Sequence, residues 1–287
     1  MLIEKINSRQ NPLVKRFRRV RLGGERHLVF LEGVRLIEDA IGAGAHFESV
    51  AFSPALESTE RGRALLDSLE SVPCRGAYVS KQVMSAIADT ESPQGVTALV
   101  IRPRFELNDV IGEGASLIVI ADQLQDPGNL GSIIRTAEAA GANGVVTTRY
   151  TVDAFNHKAL RASMGSAVRL PVVTDARRDE VIALCHEHKI KIIASRPARE
   201  RPKGMIEDAA LVETIRAYTD ADLTSPFALI LGGEASGVSE DATAQADGFV
   251  YIPMARGVES LNVAAAAAVL LYEAARQRNF ERMKDEG

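Results

Sequence analysis

The chain has 287 residues, of which 46% are hydrophobic and 25% charged, and its formal net charge is -4 at pH 7. This composition is typical of a globular protein and excludes a long disordered or collagen-like chain. The length exceeds the usual size of one domain and predicts two. Its two cysteines, Cys74 and Cys185, form no CxxC pair, so we expect buried thiols in a reduced, cytoplasmic protein. No charged-then-apolar leader opens the sequence, and the longest apolar run, Val263–Tyr272, is far shorter than the roughly 20 residues that span a bilayer, so we expect a soluble protein with no membrane partner.

The first 35 residues carry nine Lys and Arg against three Glu. Asn11 followed by Pro12 predicts a helix start, because Asn caps helices and Pro suits the first helical position. On that helix four apolar side chains share one face, and basic residues crowd the other. The apolar four are Leu13, Val14, Phe17 and Val20. Like charges this close repel one another, which favours neutralisation by a polyanion, although a merely solvated basic face stays open. The predicted contacts with such a polyanion are Arg9, Lys15, Arg16, Arg18 and Arg19.

After this segment, short β-like runs alternate with helical ones as far as Ile101. The runs HLVFLEG, ESVAFS, CRGAYVS and GVTALVI have the pattern of strands, and VRLIEDAIGAG, RGRALLDSLE and KQVMSAIA that of the helices between them. We therefore predict a small N-terminal α/β domain over residues 1–101. Residues 102–115 contain Pro and Gly without a sustained period and are the predicted linker.

The second half restarts the alternation and predicts a parallel-sheet α/β domain over residues 116–287. SLIVIA is a continuous apolar run typical of a buried parallel strand, and GVVTT, KIIAS, FALILGG and GFVYIP are its expected neighbours. Helices are expected at Ser132–Ala140, at Arg177–His188 and from Asn262 to about Met283. The basic segment Ser195–Gly204 is expected to be an exposed loop.

Three loops of this second domain follow predicted strands and are rich in Gly and short polar residues. They are residues 122–130, the EASGVSED segment and the MARGVESLN segment. Ligands bind at the carboxyl ends of strands in open α/β sheets. Backbone groups that converge there can hold a ligand with little help from side chains, so the three loops together predict a ligand site.

Several common sites are missing from the sequence. No GxGxxG follows a predicted strand, and no GxxxxGK followed by Ser or Thr occurs, which removes most support for dinucleotide and P-loop chemistry. His186 and His188 are two residues apart and cannot share a helix face, so we expect no metal site. The EASGVS segment lacks the GxSxG pattern of serine hydrolases.

Three segments resemble, in order, the three motifs of the SpoU/TrmH family of RNA ribose 2′-O-methyltransferases. They are NLGSIIRTAEAAGANGV, LILGGEASGVSE and IPMARGVESLNVAAAAAVLLYEAARQR, with KALRASMGSAVRLPV between the first two. The N-terminal half more loosely resembles the small RNA-binding domain that many of these enzymes carry, through LVFLEGVRLIEDAI and SPQGVTALV. The resemblance implies an S-adenosylmethionine (AdoMet) cofactor, a homodimer, and a sheet whose C-terminal segment forms a deep trefoil knot.

The resemblance also implies site residues. Those expected to line the AdoMet pocket are Gly232, Gly233, Ile252, Met254 and Leu261. Those expected around the reacting ribose are Asn129, Arg135, Glu234, Ser260 and Asn262, with Glu234 orienting the loops. Simpler roles stay open for two of them, a turn for Asn129 and a helix cap for Asn262.

Arg135 poses a question of mechanism, because the matching arginine of the family is often assigned as general base. A guanidinium ordinarily stays protonated in proteins, so our hypothesis is that Arg135 clamps the adjacent RNA phosphate and stabilises the developing alkoxide, whether or not it also accepts the proton. One departure from the third motif is Arg256, where the family usually has glycine. Either Gly257 takes over the backbone role or Arg256 projects toward the substrate.

The predicted function is AdoMet-dependent methylation of a ribose 2′-hydroxyl in RNA. By analogy with relatives of this layout, 23S ribosomal RNA is the favoured substrate and transfer RNA the alternative. A non-catalytic RNA-binding protein on the same fold and a nucleotide-dependent oxidoreductase are the other classes left open.

Overall fold

The computed structural model describes residues 2–112, 116–197, 215–233, 237–255 and 258–278. The chain forms two units, each with its own sheet. The first unit contains Met1–Pro103 and Phe155–Arg169, and the second contains Arg104–Ala154 and Leu170–Gly287.

The first unit is built on a five-stranded mixed sheet in the order β1-β4-β3-β5-β2. Its strands are β1 Leu2–Ile6, β2 Leu28–Glu32, β3 Phe47–Phe52, β4 Arg75–Val79 and β5 Val96–Ile101. Strand β4 is parallel to β1 and β3, while β5 is antiparallel to β2 and β3. The helices are α1 Pro12–Arg21, α2 Val34–Gly42, α3 Pro54–Glu57, α4 Glu60–Glu70 and α5 Lys81–Ile87. The predicted strands and helices of this half are confirmed, whereas β1 and α3, which are short, have no counterpart in the prediction.

Helix α1 buries the apolar face that the sequence predicts. The Asn11 side-chain oxygen accepts a hydrogen bond from the Leu13 N–H at 2.8 Å, and Pro12 occupies the first helical position. The buried residues are Leu13, Val14, Phe17 and Val20. Phe17 has no exposed surface, and burying such a ring contributes about 1.5–3 kcal/mol. This face holds α1 in the core of the first unit with its basic side chains on the other side.

The second unit is built on seven parallel strands in the order β10-β12-β9-β11-β6-β7-β8. They are β6 Leu117–Asp122, β7 Gly144–Thr148, β8 Val172–Ala176, β9 Lys191–Pro197, β10 Ile215–Ala217, β11 Phe227–Gly232 and β12 Gly248–Ile252. Every residue of β6 and β11 is buried, as expected for central strands of a parallel sheet. The parallel-sheet prediction is confirmed. Strands β8 and β10 were not predicted, and the trefoil knot stays a prediction.

Among the described residues the second unit has four α-helices, of which three begin at a side-chain N-cap. They are α6 Pro127–Ala139, α9 Arg178–Glu187, α10 Glu240–Ala244 and α11 Val263–Gln277. Helix α6 starts before the predicted Ser132, because Pro127 suits its first position and the Asp126 carboxylate accepts the Asn129 N–H at 2.7 Å. Helix α11 starts after Asn262 as predicted, and its predicted end near Met283 lies outside the described residues.

Residues Phe155–Arg169 belong to the first unit although they follow β7 in the sequence. They form α7 His157–Ser163 and α8 Ser166–Arg169. Arg161 makes an ion pair with Asp89 and Arg169 one with Asp39, both at 2.8 Å, within that unit. The domain limits expected from the sequence, 1–101, 102–115 and 116–287, do not include this excursion and otherwise stay a prediction.

Three further expectations concern membranes, metals and cysteines. Within the described ranges, no helix has the length and apolarity needed to cross a membrane. In the same ranges, no group of three or more His, Cys, Asp or Glu could hold a metal ion. Neither Cys74 nor Cys185 forms a disulfide; Cys185 is buried as predicted, and burial raises the pKa of its thiol to about 12. Cys74 is only half-buried, contrary to expectation, because it lies just before β4 rather than within the sheet.

Candidate active site

Loops from three strands of the parallel sheet start at its carboxyl edge. Gly232, the last residue of β11, pairs in register with Asp122, the last residue of β6, so the first two loops start side by side. Ile252 ends β12 opposite Pro197 of β9, the strand between β12 and β11. Because these strands are parallel, the three loops leave from one edge of the sheet, where ligands bind in this architecture.

The first and third motifs meet in a direct hydrogen bond. Asn129 lies in the first turn of α6, and its side-chain oxygen accepts a hydrogen bond from the Asn262 Nδ2 at 3.1 Å. The Asn262 oxygen caps α11 by accepting the N–H groups of Ala264 and Ala265 at 2.9 and 3.4 Å. The capping role and the site role of Asn262 are therefore compatible, because each uses a different end of the carboxamide. Two residues far apart in sequence thus hold α6 and α11 at one point.

Arg135 lies on the same helix as Asn129 but on a different side. Six residues of α-helix turn through about 600°, so the two side chains leave α6 roughly 120° apart. Arg135 is exposed, and no carboxylate of the described residues lies within ion-pair distance of it. The structure therefore brings Asn129 and Asn262 together, and leaves Arg135 as a surface cation with no recorded bond to either.

The second loop folds back tightly over the end of β11. A Cβ added to Gly232 would lie 2.1 Å from the carbonyl carbon and oxygen of Gly237, so only glycine fits there. The Gly237 N–H donates to the Gly233 carbonyl at 2.8 Å, and Gly237 has a φ of +64°. Glu234, expected to orient this loop, lies outside the described residues.

The third loop presents apolar side chains next to the asparagine pair. Leu261, immediately before Asn262, is 39% exposed, and Val258 is 52% exposed. Ser260 is also exposed, while Met254 and Ile252 are half-buried near the end of β12. Arg256 and Gly257, which the sequence singled out, lie outside the described residues. The residues expected to line the AdoMet pocket therefore include apolar surface available to a ligand.

A buried polar cluster under these loops was not anticipated from the sequence. Its centre is Asp122, only 1% exposed, whose carboxylate accepts the hydroxyls of Thr148 and Ser239, each at 2.8 Å. The Arg178 guanidinium donates to the same carboxylate at 2.8 and 3.2 Å. The cluster ties the ends of β6 and β7 to the start of α9 and to Ser239 of the second loop.

A sequence signal for this cluster exists, though it is weak. An acidic residue that ends an otherwise apolar strand, as Asp122 ends β6, must find partners when it is buried. The identity of those partners depends on β6, β7, α9 and α10 being neighbours, which the local pattern does not specify.

The basic face of α1 is partly neutralised by the protein itself. Arg16 pairs with Glu25 at 3.1 Å and with Glu48, and Arg19 pairs with Glu25 at 3.4 Å. The exposed residues Arg9, Lys15 and Arg18 make no ion pair among the residues described. A polyanion is therefore not needed to offset repulsion at Arg16 and Arg19, because two glutamates already lie beside them, and the RNA contacts of this face stay a prediction.

The sequence matches two family models. Residues 116–272 match the SpoU rRNA Methylase family, and residues 11–98 match the MRM3-like substrate binding domain. The chain belongs to the SpoU rRNA Methylase family.

Individual relatives agree over nearly the whole chain. It is 30% identical to the 23S rRNA (guanosine(2553)-2′-O)-methyltransferase RlmP of Bacillus subtilis, over 94% of this chain and 98% of that protein. It is 31% identical to the 23S rRNA (uridine(2479)-2′-O)-methyltransferase of Streptomyces viridochromogenes, over 86% of this chain and 82% of that protein. Among solved structures, the AdoMet-bound rRNA methyltransferase from Sinorhizobium meliloti is similar with a TM-score of 0.81 and 27% identity, over 96% of this chain and 98% of that one.

Proposed function

We propose that this protein transfers the methyl group of AdoMet to a ribose 2′-hydroxyl in RNA, with 23S ribosomal RNA as the substrate and transfer RNA as the alternative. The observation that carries the proposal is the Asn129–Asn262 hydrogen bond, which joins the first and third motifs beside the carboxyl edge of the sheet. The named relatives, two of them 23S rRNA 2′-O-methyltransferases, support the choice of substrate.

The proposed AdoMet pocket is formed by the ends of β11 and β12 and the loop before α11. Its residues are Gly232, Gly233, Ile252, Met254 and Leu261. The exposed apolar surface of Leu261 and Val258 suits the face of an adenine ring, and strand-end backbone groups suit its polar edge. When bound, AdoMet supplies an electrophilic methyl group on its sulfonium centre.

The proposed acceptor site uses the asparagine pair to position the ribose. Transfer from a sulfonium is an in-line displacement, so the hydroxyl oxygen must be held on the methyl axis and must lose its proton. Carboxamides donate and accept hydrogen bonds, which suits the hydroxyls of a ribose, and Ser260 lies two residues from Asn262. Glu234 is proposed to orient the second loop.

Arg135 is proposed to bind the phosphate beside the target ribose and to stabilise the alkoxide as it forms. Its exposure and its lack of an ion-pair partner among the described residues leave its fork available for a bidentate contact. Lysine would keep the positive charge and lose the paired N–H donors of the guanidinium, so Arg135→Lys separates the contribution of charge from that of bidentate hydrogen bonding.

A homodimer, a deep trefoil knot and a cytoplasmic location complete the proposal. The exposed apolar side chains before and on α11, Leu261 at 39% and Tyr272 at 48%, support an interface between copies in this region. Light scattering should give twice the chain mass of 30.9 kDa. The Arg9, Lys15 and Arg18 side chains are proposed to contact RNA phosphates, and Arg16 and Arg19 to contribute less.

The test is methyl transfer from tritium-labelled AdoMet to unmodified 23S rRNA and to transfer RNA transcripts. Reverse-transcription stops at low nucleotide concentration then locate the modified ribose. We expect label in 23S rRNA, a stop at one position, and loss of both in Asn262→Ala and Arg135→Ala. If calorimetry detects no AdoMet binding, the protein is not a methyltransferase. Near-normal turnover of Arg135→Lys would rule out the bidentate contact with phosphate.

A further inference from the structure

A second cavity opens at the carboxyl edge of the parallel sheet, at the ends of β6, β7 and β8. Its volume is about 470 Å³, within the range of about 300–1,000 Å³ that small-molecule and cofactor sites occupy. Gln123, Tyr150, Arg177 and Gln245 are among the residues that border it. None of the described residues assigned above to AdoMet or to the ribose lines this cavity.

Tyr150 is an exposed aromatic side chain on a rigidly held backbone. Its side chain and backbone together are 81% exposed, yet its carbonyl accepts a hydrogen bond from Gln125 Nε2 at 2.6 Å. Two residues on, the Val152 N–H donates to the Leu124 carbonyl at 2.8 Å. The loop after β7 is thereby fastened to the loop after β6, the segment that leads into α6 and Asn129.

The backbone at this cavity is strained at each of the three strand ends. Gln123, Tyr150 and Asp175 have φ values of +57°, +68° and +60°, in the left-handed region that non-glycine residues rarely adopt. Such conformations cost free energy, persist only where the surrounding structure enforces them, and concentrate at ligand sites. Gln123 and Tyr150 border the cavity, and Asp175 lies within β8, the third of these neighbouring strands.

Among the described residues, the charges around the cavity leave one cation available. Arg177 is paired with Asp179 at 2.5 Å, and Arg178 is engaged with the buried carboxylate described above. Asp241 is 87% exposed and also borders the cavity. Arg149, next to Tyr150, is exposed and has no carboxylate within ion-pair distance among the described residues. One ring and one guanidinium, rather than a strongly basic surface, are what the cavity offers a ligand.

We propose that Tyr150 and Arg149 bind an unpaired nucleotide of the RNA substrate next to the one that is methylated. The base stacks on the Tyr150 ring, and its phosphate contacts the Arg149 guanidinium. Unstacked RNA bases are bound by aromatic rings in this way, and stacking tolerates any base because each has a π face. The inference rests on the proposed function for the position of this nucleotide beside the target.

The test measures binding of a fluorescein-labelled single-stranded RNA oligonucleotide, and of a duplex of the same length, by fluorescence anisotropy. Tyr150→Ala keeps a Cβ on the left-handed backbone and removes the ring, so single-strand affinity should fall about 5- to 150-fold. Tyr150→Phe keeps the ring and should stay within about twofold of wild type. Duplex affinity should change little, since its bases are already stacked.

The arginine is tested through salt dependence. A plot of the logarithm of the RNA association constant against the logarithm of salt concentration has a slope that Arg149→Gln should reduce in magnitude by about 0.7. This is the value for one phosphate contact on a single strand. Lys191→Gln, which removes an exposed charge at the amino end of β9, is the matched control and should leave both slope and affinity unchanged.

Unchanged single-strand affinity in Tyr150→Ala overturns the inference, as does an equal loss in Tyr150→Phe. A change of oligomeric mass in Tyr150→Ala would place the ring between copies of the chain and also overturn it. AdoMet binding measured by calorimetry checks that each variant is folded. If Tyr150→Ala is not folded, the salt dependence of Arg149→Gln tests the inference instead. Wild-type protein that binds RNA through Tyr150 but transfers no methyl group refutes only the proposed function.

Discussion

Replacing Asp122 by alanine tests whether the buried cluster holds the loops of the candidate site together. The change removes the acceptor for Thr148 and Ser239 and leaves Arg178 without its main partner. The two hydroxyl bonds are each worth about 1 kcal/mol, and the charge-assisted bonds from Arg178 about 1.5–3 kcal/mol. Since the Arg178 side chain is 16% exposed and has Asp241 at 3.8 Å, part of its charge stays compensated. We expect a loss of about 3 kcal/mol, at the low end for breaking a buried pair.

Hydrogen exchange of the β6 and β11 amides, followed by mass spectrometry, measures this loss in the second unit alone. A loss of about 3 kcal/mol corresponds to exchange roughly 150-fold faster. Asp122→Asn keeps the shape and one acceptor oxygen and should cost less. The control is Asp241→Asn, an exposed carboxylate near the same arginine, with an expected effect below about 0.5 kcal/mol. Exchange in Asp122→Ala within threefold of the control would refute the reasoning.

Three other predictions concern the asparagine pair, the glycine at the end of β11, and an acidic residue of α11. Asn262→Ser keeps a capping oxygen but loses the donor to Asn129, so thermal stability should be unchanged while methyl transfer falls about tenfold or more. Asn262→Ala should lose about 1 kcal/mol of stability as well as activity. A serine variant with normal activity would contradict the role assigned to Asn262. Gly232→Ala forces a Cβ into the Gly237 backbone and should weaken AdoMet binding in calorimetry. In the control Gly42→Ala the added Cβ has no atom within 4 Å, so AdoMet affinity should be unchanged. Equal affinities of the two variants would show that the loop after β11 moves to accommodate the Cβ at no measurable cost. The hydrogen bond from Arg276 lowers the pKa of Glu273 from 4.5 to about 2, so the contribution of Glu273 to stability is present above pH 4.5 and is lost as the pH falls toward 2. In acid unfolding, Glu273→Gln should therefore lose less stability than the wild type between pH 4.5 and pH 2. Identical unfolding profiles for the variant and the wild type would contradict this.

The prediction from sequence was accurate where a signal is local. Asn11 with Pro12 marked the start of α1, and Asn262 marked the start of α11, because capping acts within a few residues of the cap. The start of α6 was missed although the same local signal is present. Asp126 caps this helix and Pro127 takes its first position, but Pro127 and the glycines after it have the composition of a loop. Edge strands β8 and β10 are short, and their pairing partners, rather than their composition, make them strands.

The candidate site divides in the same way. The motifs named Asn129 and Asn262 through resemblance, but the hydrogen bond between them depends on α6 and α11 packing together. The balance of charge on α1 was misjudged because Glu48, which neutralises Arg16, comes from β3 across the sheet. The Asp122 cluster and the Tyr150 cavity each combine residues from several strand ends, so no window of sequence contains them.

The sequence by itself determined where most helices and strands lie, which faces they bury, and to which family the chain's motifs are similar. Only the tertiary structure decided which polar groups meet, that Phe155–Arg169 joins the first unit, and that Glu25 and Glu48 lie beside the basic face of α1. The physical reason is that capping and hydrophobic periodicity act over one or two turns of chain. Hydrogen bonds and ion pairs between distant segments exist only after burial of apolar surface, which has no directional preference of its own, has brought those segments together.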